Sequence, residues 1–286
     1  MVSADDLTID PDGLRSGLEG PEGREGLPGI TVLDARWRLS GRPGRADYVE
    51  GHIPGAVFID LDTELAGEPG PNGRHPLPDP AKLQEQLRAK GVRNDKPVVV
   101  YDAGDGQAAA RAWWILRWAG HRDTRVLDGG FAAWTNQGHP VTTDETTPTE
   151  GDIEVKPGNL PSLTAEEAAA LAEQGTLIDA RVAPRFRGEV EPIDPVAGHI
   201  PGAVNRPTTE NAKDDGRLKT AEEIRAGFAE TGVRDGQPVG AYCGSGVTAA
   251  HTVLALHRAG RTDAALYVGS WSDWVTDPNR PVATGE

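Results

Sequence analysis

Gly51-His52-Ile53-Pro54-Gly55-Ala56-Val57 returns as Gly198-His199-Ile200-Pro201-Gly202-Ala203-Val204, 147 positions later. Three further matches flank this pair in the same order. Thr31-Val32-Leu33-Asp34-Ala35-Arg36 returns as Thr176-Leu177-Ile178-Asp179-Ala180-Arg181, an offset of 145. Gly91-Val92-Arg93 with Pro97-Val98 returns as Gly232-Val233-Arg234 with Pro238-Val239, an offset of 141, and Trp134 matches Trp274, an offset of 140. Four collinear matches with slowly drifting offsets are poorly explained by chance. Their period is far too long for a solenoid, so the chain reads as two tandem copies of one domain. A length of 286 residues agrees, at roughly 100–200 residues per domain. From Thr142 to Asp152 no large apolar residue occurs, so that run should be exposed. We place the first domain at 8–138, the linker at 139–159 and the second domain at 160–286.

Each copy alternates strand and helix signals. In the second, Ser162 or Thr164 caps a helix whose early Glu166 and Glu167 suit its positive end, and Gly175 stops it. Leu177-Ile178-Asp179 reads as a short buried strand. Ala221-Glu222-Glu223-Ile224 opens a helix ending near Gly232. Val239-Gly240-Ala241-Tyr242 is a strand, followed by Cys243 and a helix from about Val247 to Ala259. Leu266-Tyr267-Val268 is the last strand, with Trp271 and Trp274 on a short helix after it. This alternation specifies an α/β class with a mostly parallel sheet flanked by helices, twice over. Ligands of such sheets sit at the carboxyl ends of the strands.

Composition narrows the classes of function. A formal charge of −15 argues against nucleic acid or an anionic membrane as a partner, since both require clustered cations. No apolar stretch approaches the ~18 residues of a membrane span, and Met1-Val2-Ser3-Ala4-Asp5-Asp6 is acidic where a signal peptide is basic. The expectation is a cytoplasmic protein. The single cysteine excludes an internal disulfide framework and a thiolate-rich metal site. His251 and His257 lie six apart, which is not a ligand-pair spacing, so no metal is expected.

That cysteine lies in Tyr242-Cys243-Gly244-Ser245-Gly246-Val247-Thr248-Ala249, after a strand and before a helix. Gly244 and Gly246 let the backbone curl so that successive N–H groups point inward, forming an anion nest at a helix start. Such a nest favours a thiolate, and this is where a nucleophilic cysteine belongs. The competing reading is a buried, inert thiol packed as a small hydrophobe.

At these residues the chain resembles the two-domain rhodanese sulfurtransferases. The carriers of the resemblance are the tandem Asp-Ala-Arg and Gly-His-Ile-Pro-Gly-Ala segments and the Cys-Gly-Ser-Gly-Val-Thr-Ala loop, the last being similar to the 3-mercaptopyruvate sulfurtransferase branch. The resemblance implies two rhodanese-like domains with the nucleophile, Cys243, in the second alone. The 141-residue offset puts Asp102 at the matching position of the first, which should be catalytically silent. It implies a ping-pong reaction in which Cys243 takes sulfur from a small-molecule donor as a persulfide. Cyanide, a thiol or a thioredoxin-like protein then removes it, with no cofactor. The loop N–H groups of Gly244, Gly246, Val247 and Thr248 would hold the donor and the persulfide charge.

Two donors fit. Thiosulfate-preferring members carry two cations after the cysteine, suited to a dianion, and here Gly244 and Ser245 are neutral. This favours 3-mercaptopyruvate, a keto monoanion, with thiosulfate as the alternative. In the branch the chain resembles, a loop serine works with a histidine and an aspartate; the matching positions are Ser245, His75 and Asp62. Arg185 matches the family's carboxylate-binding arginine, since a guanidinium binds a carboxylate through two parallel bonds. A second such arginine is absent from Glu191-Pro192-Ile193-Asp194-Pro195, and Arg187 is the candidate replacement.

Other signals have plainer readings. His52 and His199 occupy the same turn in both halves, as do the pairs Asp34/Arg36 and Asp179/Arg181, so a structural role is expected for all of them. Trp113, Trp114 and Trp118 fit a helical core stripe. Trp271, after a strand end, is a candidate cleft wall. Two rival functions remain at this point. A cysteine phosphatase needs an arginine six positions after the cysteine, where this chain has Ala249. A non-catalytic sulfur-binding module would show no multiple turnover.

Overall fold

The computed structural model describes residues 7–19 and 29–286. The acidic run Met1–Asp6 lies outside them. Packing contacts divide the chain into two units. The first comprises the described residues up to Ala66 together with Pro78–Asn159 and Asp214–Leu218. The second comprises Gly67–Leu77, Leu160–Lys213 and Lys219–Glu286.

The first unit runs β1 (Thr8–Ile9), α1 (Pro11–Glu19), β2 (Thr31–Asp34), α2 (Gly44–Glu50), β3 (Val57–Phe58), α3 (Pro80–Ala89), β4 (Val98–Tyr101), α4 (Gln107–Trp118), β5 (Thr124–Leu127) and α5 (Gly130–Asn136). The second repeats the pattern as β6 (Ser162–Leu163), α6 (Ala165–Gln174), β7 (Thr176–Asp179), α7 (Ala183–Phe186), β8 (Val204–Asn205), α8 (Ala221–Glu230), β9 (Val239–Tyr242), α9 (Thr248–Arg258), β10 (Ala265–Tyr267) and α10 (Ser270–Trp274). The strand orders are β1-β5-β4-β2-β3 and β6-β10-β9-β7-β8, the same permutation, and every pair is parallel. Both sheets are flanked by helices, the α/β class expected from the alternation. No helix among the described residues is long and apolar enough to cross a membrane.

Burial explains the strand composition. Central strands of a parallel sheet are covered on both faces, so β4 reads Val-Val-Val-Tyr with all four residues buried. In β9 the residue at the register of Val99 is Gly240, because Leu171 of α6 packs onto it; a Cβ there would lie 2.7 Å from Leu171 Cδ2 and 3.0 Å from the Ala265 carbonyl. Thr164 caps α6 in a reciprocal box with Glu167, and Thr220 does the same for α8 with Glu223. Trp113 and Trp114 of α4 are fully buried, as helical spacing predicts. The run 142–152 is exposed or half-buried, with Gly151 bonded to the Arg88 carbonyl.

The paired Asp-x-Arg segments are structural in both units. Arg36 binds Asp34 at 2.6 Å and reaches the Gly51 carbonyl at 2.7 Å; Arg181 binds Asp179 and the Gly198 carbonyl at the same two distances. The Tyr101 hydroxyl donates to Asp34 at 2.6 Å and receives the Ile53 N–H; burial and the adjacent carboxylate push this phenol well above its usual value, keeping it a neutral donor. These bonds fix the start of each Gly-His-Ile-Pro-Gly-Ala segment to a strand end. His52 and His199 complete the turns through Nδ1, on the Tyr48 and Phe186 carbonyls, each at 2.8 Å.

Candidate active site

Of the candidate site residues, all but Asp62 lie in the second unit. β9 ends at Tyr242, and Cys243 begins the loop that feeds α9. Gly246 takes a left-handed conformation (φ +78°), which a side chain would resist, and so turns its N–H toward Cys243 Sγ at 3.2 Å. Cys243 is buried. The loop is tied to α10 by three backbone-directed bonds. Trp271 N–H donates to the Cys243 carbonyl at 3.0 Å, and Ser272 N–H to the Gly244 carbonyl at 2.9 Å. Cys243 N–H donates to Ser270 Oγ at 3.1 Å. Ser270 is the one non-glycine residue among those described with positive φ, +54°. Val247 is buried at the entry to α9, and Thr248 opens that helix.

The strap Gly67–Leu77 brings the next group. Gly73 (φ +98°) lets it lie against α10: a Cβ there would come within 2.7 Å of the Gly269 carbonyl and 2.9 Å of Ser272 Oγ. Arg74 N–H donates to Ser272 Oγ at 3.1 Å, and Thr276 Oγ1 donates to the Pro71 carbonyl at 3.2 Å. This anchoring presents His75, whose Nδ1 pairs with Ser245 Oγ at 2.8 Å; both side chains are buried. The sequence placed these two 170 positions apart, and the strap joins them. Asp62 belongs to the first unit, where its Oδ1 accepts from Trp37 Nε1 at 2.8 Å.

Arg185, on α7, is held by Glu191 through Nε at 3.0 Å and Nη2 at 2.7 Å, and its Nη2 also reaches Asp194 Oδ2 at 3.2 Å. Burial works against the charged form of Glu191, but Arg185 and the N–H groups of Asp194 and Ile193 outweigh it and hold the carboxyl below its usual range. Arg187 is engaged elsewhere, by Glu189 at 2.6 and 2.9 Å. The guanidinium beside Arg185 is instead that of Arg74, which pairs with Asp194. A methyl group built on Gly244 would lie 3.0 Å from Arg74 Nη2 and 3.6 Å from both terminal nitrogens of Arg185. Trp271 is core: it is fully buried, its Nε1 donates to the Val196 carbonyl at 2.8 Å, and the Arg181 guanidinium lies 4.8 Å from its ring centre.

Sequence reading missed Arg74, Asp194 and Ser270. Arg74 was visible beside His75, but its approach to Asp194 spans 120 positions and depends on the strap. Ser270 left no local signal, because a positive φ is ordinarily announced by glycine.

An electrophilic sulfur brought to this loop would meet a thiol with an N–H aimed at it, a Ser–His pair two residues on, and two guanidinium groups. Comparison with known proteins agrees with that chemistry. The model of the rhodanese-like domain matches twice, at residues 21–137 and 164–277. A protein of Pseudomonas aeruginosa named "Probable 3-mercaptopyruvate sulfurtransferase" is 49% identical over 270 residues, covering 91% of this chain and 94% of its own length. The thiosulfate sulfurtransferase of Gallus gallus is 39% identical over 257 residues, covering 88% of each chain. The solved structure of SseA from Escherichia coli, a 3-mercaptopyruvate sulfotransferase, matches with a TM-score of 0.81 and 34% identity over 93% of this chain and 99% of that one. The chain belongs to the rhodanese-like domain family, with two copies of the domain. It is an enzyme of the sulfurtransferase kind.

Proposed function

We propose that the chain transfers the sulfur of 3-mercaptopyruvate to a thiophilic acceptor through a persulfide on Cys243. The observation that carries the reading is the loop itself, with Gly246 N–H on Cys243 Sγ and His75 on Ser245. The Cys243 thiolate attacks the donor sulfur. A sulfur–sulfur bond forms, the carbon–sulfur bond breaks, and its electron pair leaves on the pyruvate enolate. The enolate then takes a proton to give pyruvate. Ser245, paired with His75, bonds the donor thiol or carbonyl and relays that proton; Asp62 is assigned to the same relay by the resemblance. The N–H groups of Gly244, Gly246, Val247 and Thr248 hold the negative charge of the persulfide. Arg185 binds the donor carboxylate. A nucleophile on the acceptor (cyanide, a small thiol or a thioredoxin-like protein) attacks the outer sulfur and regenerates the thiolate, so one transfer is split into two easier steps. The lone cysteine fits a reducing cytoplasm.

Thiosulfate is the second donor, favoured by the presence of two guanidinium groups, Arg74 and Arg185, at Gly244. The deciding experiment compares kcat/KM for the two donors with cyanide as acceptor. Cys243→Ser should abolish thiocyanate formation from both; wild-type turnover by that variant would overturn the mechanism.

A further inference from the structure

This inference rests on the sulfurtransferase reading and extends it to the charge of the donor. We propose that Asp194 is a specificity-determining residue, which sets the donor charge that the Cys243 loop accepts by neutralising Arg74 and Arg185. The two guanidinium groups come from different parts of the chain, the strap and α7, and converge on Gly244. Asp194 lies between them, with its side chain only 2% exposed. Oδ1 faces Arg74 Nη1, while Oδ2 lies 3.2 Å from Arg185 Nη2 and 3.4 Å from Arg74 Nη2. The Asp194 N–H donates to Glu191 Oε1 at 3.1 Å, so both carboxylates are locked into one short turn. Glu191 in turn holds Arg185 and approaches Arg181 at 3.3 Å, whose main partner is Asp179.

The balance of charge follows from these pairs. Two guanidinium groups face the loop, and Glu191 and Asp194 cancel them. An anionic donor therefore enters surroundings of near-zero net charge although two arginines are present. A dianion gains least from such surroundings, because it must leave more hydration behind and finds no excess of positive charge. A monoanion with a keto group loses less and can still use hydrogen bonds. Glu191 binds Arg185 and Arg181, whereas Asp194 is shared by Arg74 and Arg185, so Asp194 controls the two cations at the loop together.

Removing the Asp194 charge leaves one excess positive charge at the loop, and a dianion gains about twice what a monoanion does from it. In Asp194→Asn the ratio of kcat/KM for thiosulfate to that for 3-mercaptopyruvate should rise about tenfold, through KM and with a steeper dependence on ionic strength. Arg74→Gln should move the ratio the other way, and Asp194→Glu should return it toward the wild-type value. A merely structural role would lower both donors by one factor and leave the ratio still. An unmoved ratio in Asp194→Asn, or the same direction of shift in Asp194→Asn and Arg74→Gln, overturns the proposal while wild-type turnover upholds the sulfurtransferase reading. A wild-type protein that turns over neither donor overturns that reading and this proposal with it.

Discussion

The loops that follow β4 and β9 are anchored alike and differ in their path and in what fills them. Phe131 N–H donates to the Asp102 carbonyl at 2.8 Å and Ala132 N–H to the Ala103 carbonyl at 3.1 Å, as Trp271 and Ser272 do for Cys243 and Gly244. Each turns on a left-handed glycine at a different step, Gly106 (φ +73°) four residues after Asp102 and Gly246 (φ +78°) three residues after Cys243. In the first unit, however, the nest is occupied from within. Asp102 Oδ1 accepts from Gly104 N–H at 2.9 Å and Gly106 N–H at 3.1 Å, and Oδ2 accepts from Ala109 N–H at 3.1 Å. In the second unit the shorter thiol takes a single N–H, that of Gly246 three residues on. A loop whose N–H groups are taken by its own carboxyl group is closed to an outside anion.

The largest expected effect lies in the occupied loop. Burial pushes Asp102 up to about 7, with the charge of Asp105 adding to it, against the pull of three N–H groups. The folded protein thus holds a proton that the unfolded chain releases near pH 4, so stability from this group is present at low pH and is lost as pH rises toward 7. The slope approaches ~1.4 kcal/mol per pH unit within that window. Urea unfolding of the wild type and of Asp102→Asn, compared between pH 4.5 and 7.5, should show the wild type losing stability relative to the variant. Parallel profiles would show that the carboxylate is ionised throughout, and that the first loop holds a fixed anion. The next effect lies in the open loop. Arg185→Ala should raise KM for 3-mercaptopyruvate roughly tenfold, ~1.4 kcal/mol, with a smaller change in kcat. An unchanged KM would leave the outside anion to other groups.

The likeness of the two loops was legible in the sequence, and so was the odd residue in each. Repeated segments fix strand order because each carries a strand end, Asp34 or Asp179, and the turn that Arg36 or Arg181 ties to it. Cys243 was legible because a glycine-rich turn between strand and helix has few conformations. The charges around it were not. Glu191 and Asp194 marked a stretch without a cation, and only the path of the strap reveals that they serve Arg185 and Arg74. Arg187, chosen because it lies near Arg185 in sequence, turns instead to Glu189 two residues away. Proximity along the chain is a poor guide where a loop folds back on itself.

The smallest effect sharpens the last difference between the loops. At one position the first loop has Gly130 (φ +56°), whose missing side chain is needed because a Cβ would lie 2.7 Å from the Asp102 carbonyl. The second loop has Ser270 at nearly the same φ, where a non-glycine residue bears about 1–3 kcal/mol of backbone strain. Its hydroxyl offsets that strain by accepting the Cys243 N–H and donating to the Tyr267 carbonyl at 2.8 Å. Two substitutions separate the terms. Ser270→Ala keeps the strained backbone and leaves the buried Cys243 N–H without its acceptor, so it should lower stability by about 1–2 kcal/mol. Ser270→Gly loses the same bond but relaxes the backbone, and should fall within about 0.5 kcal/mol of wild type. Both should lower kcat for the Cys243 reaction, because the nucleophile's own N–H is no longer anchored. Equal stabilities for the two variants would mean that Ser270 stores no strain. The serine would then matter to the loop only through its hydroxyl.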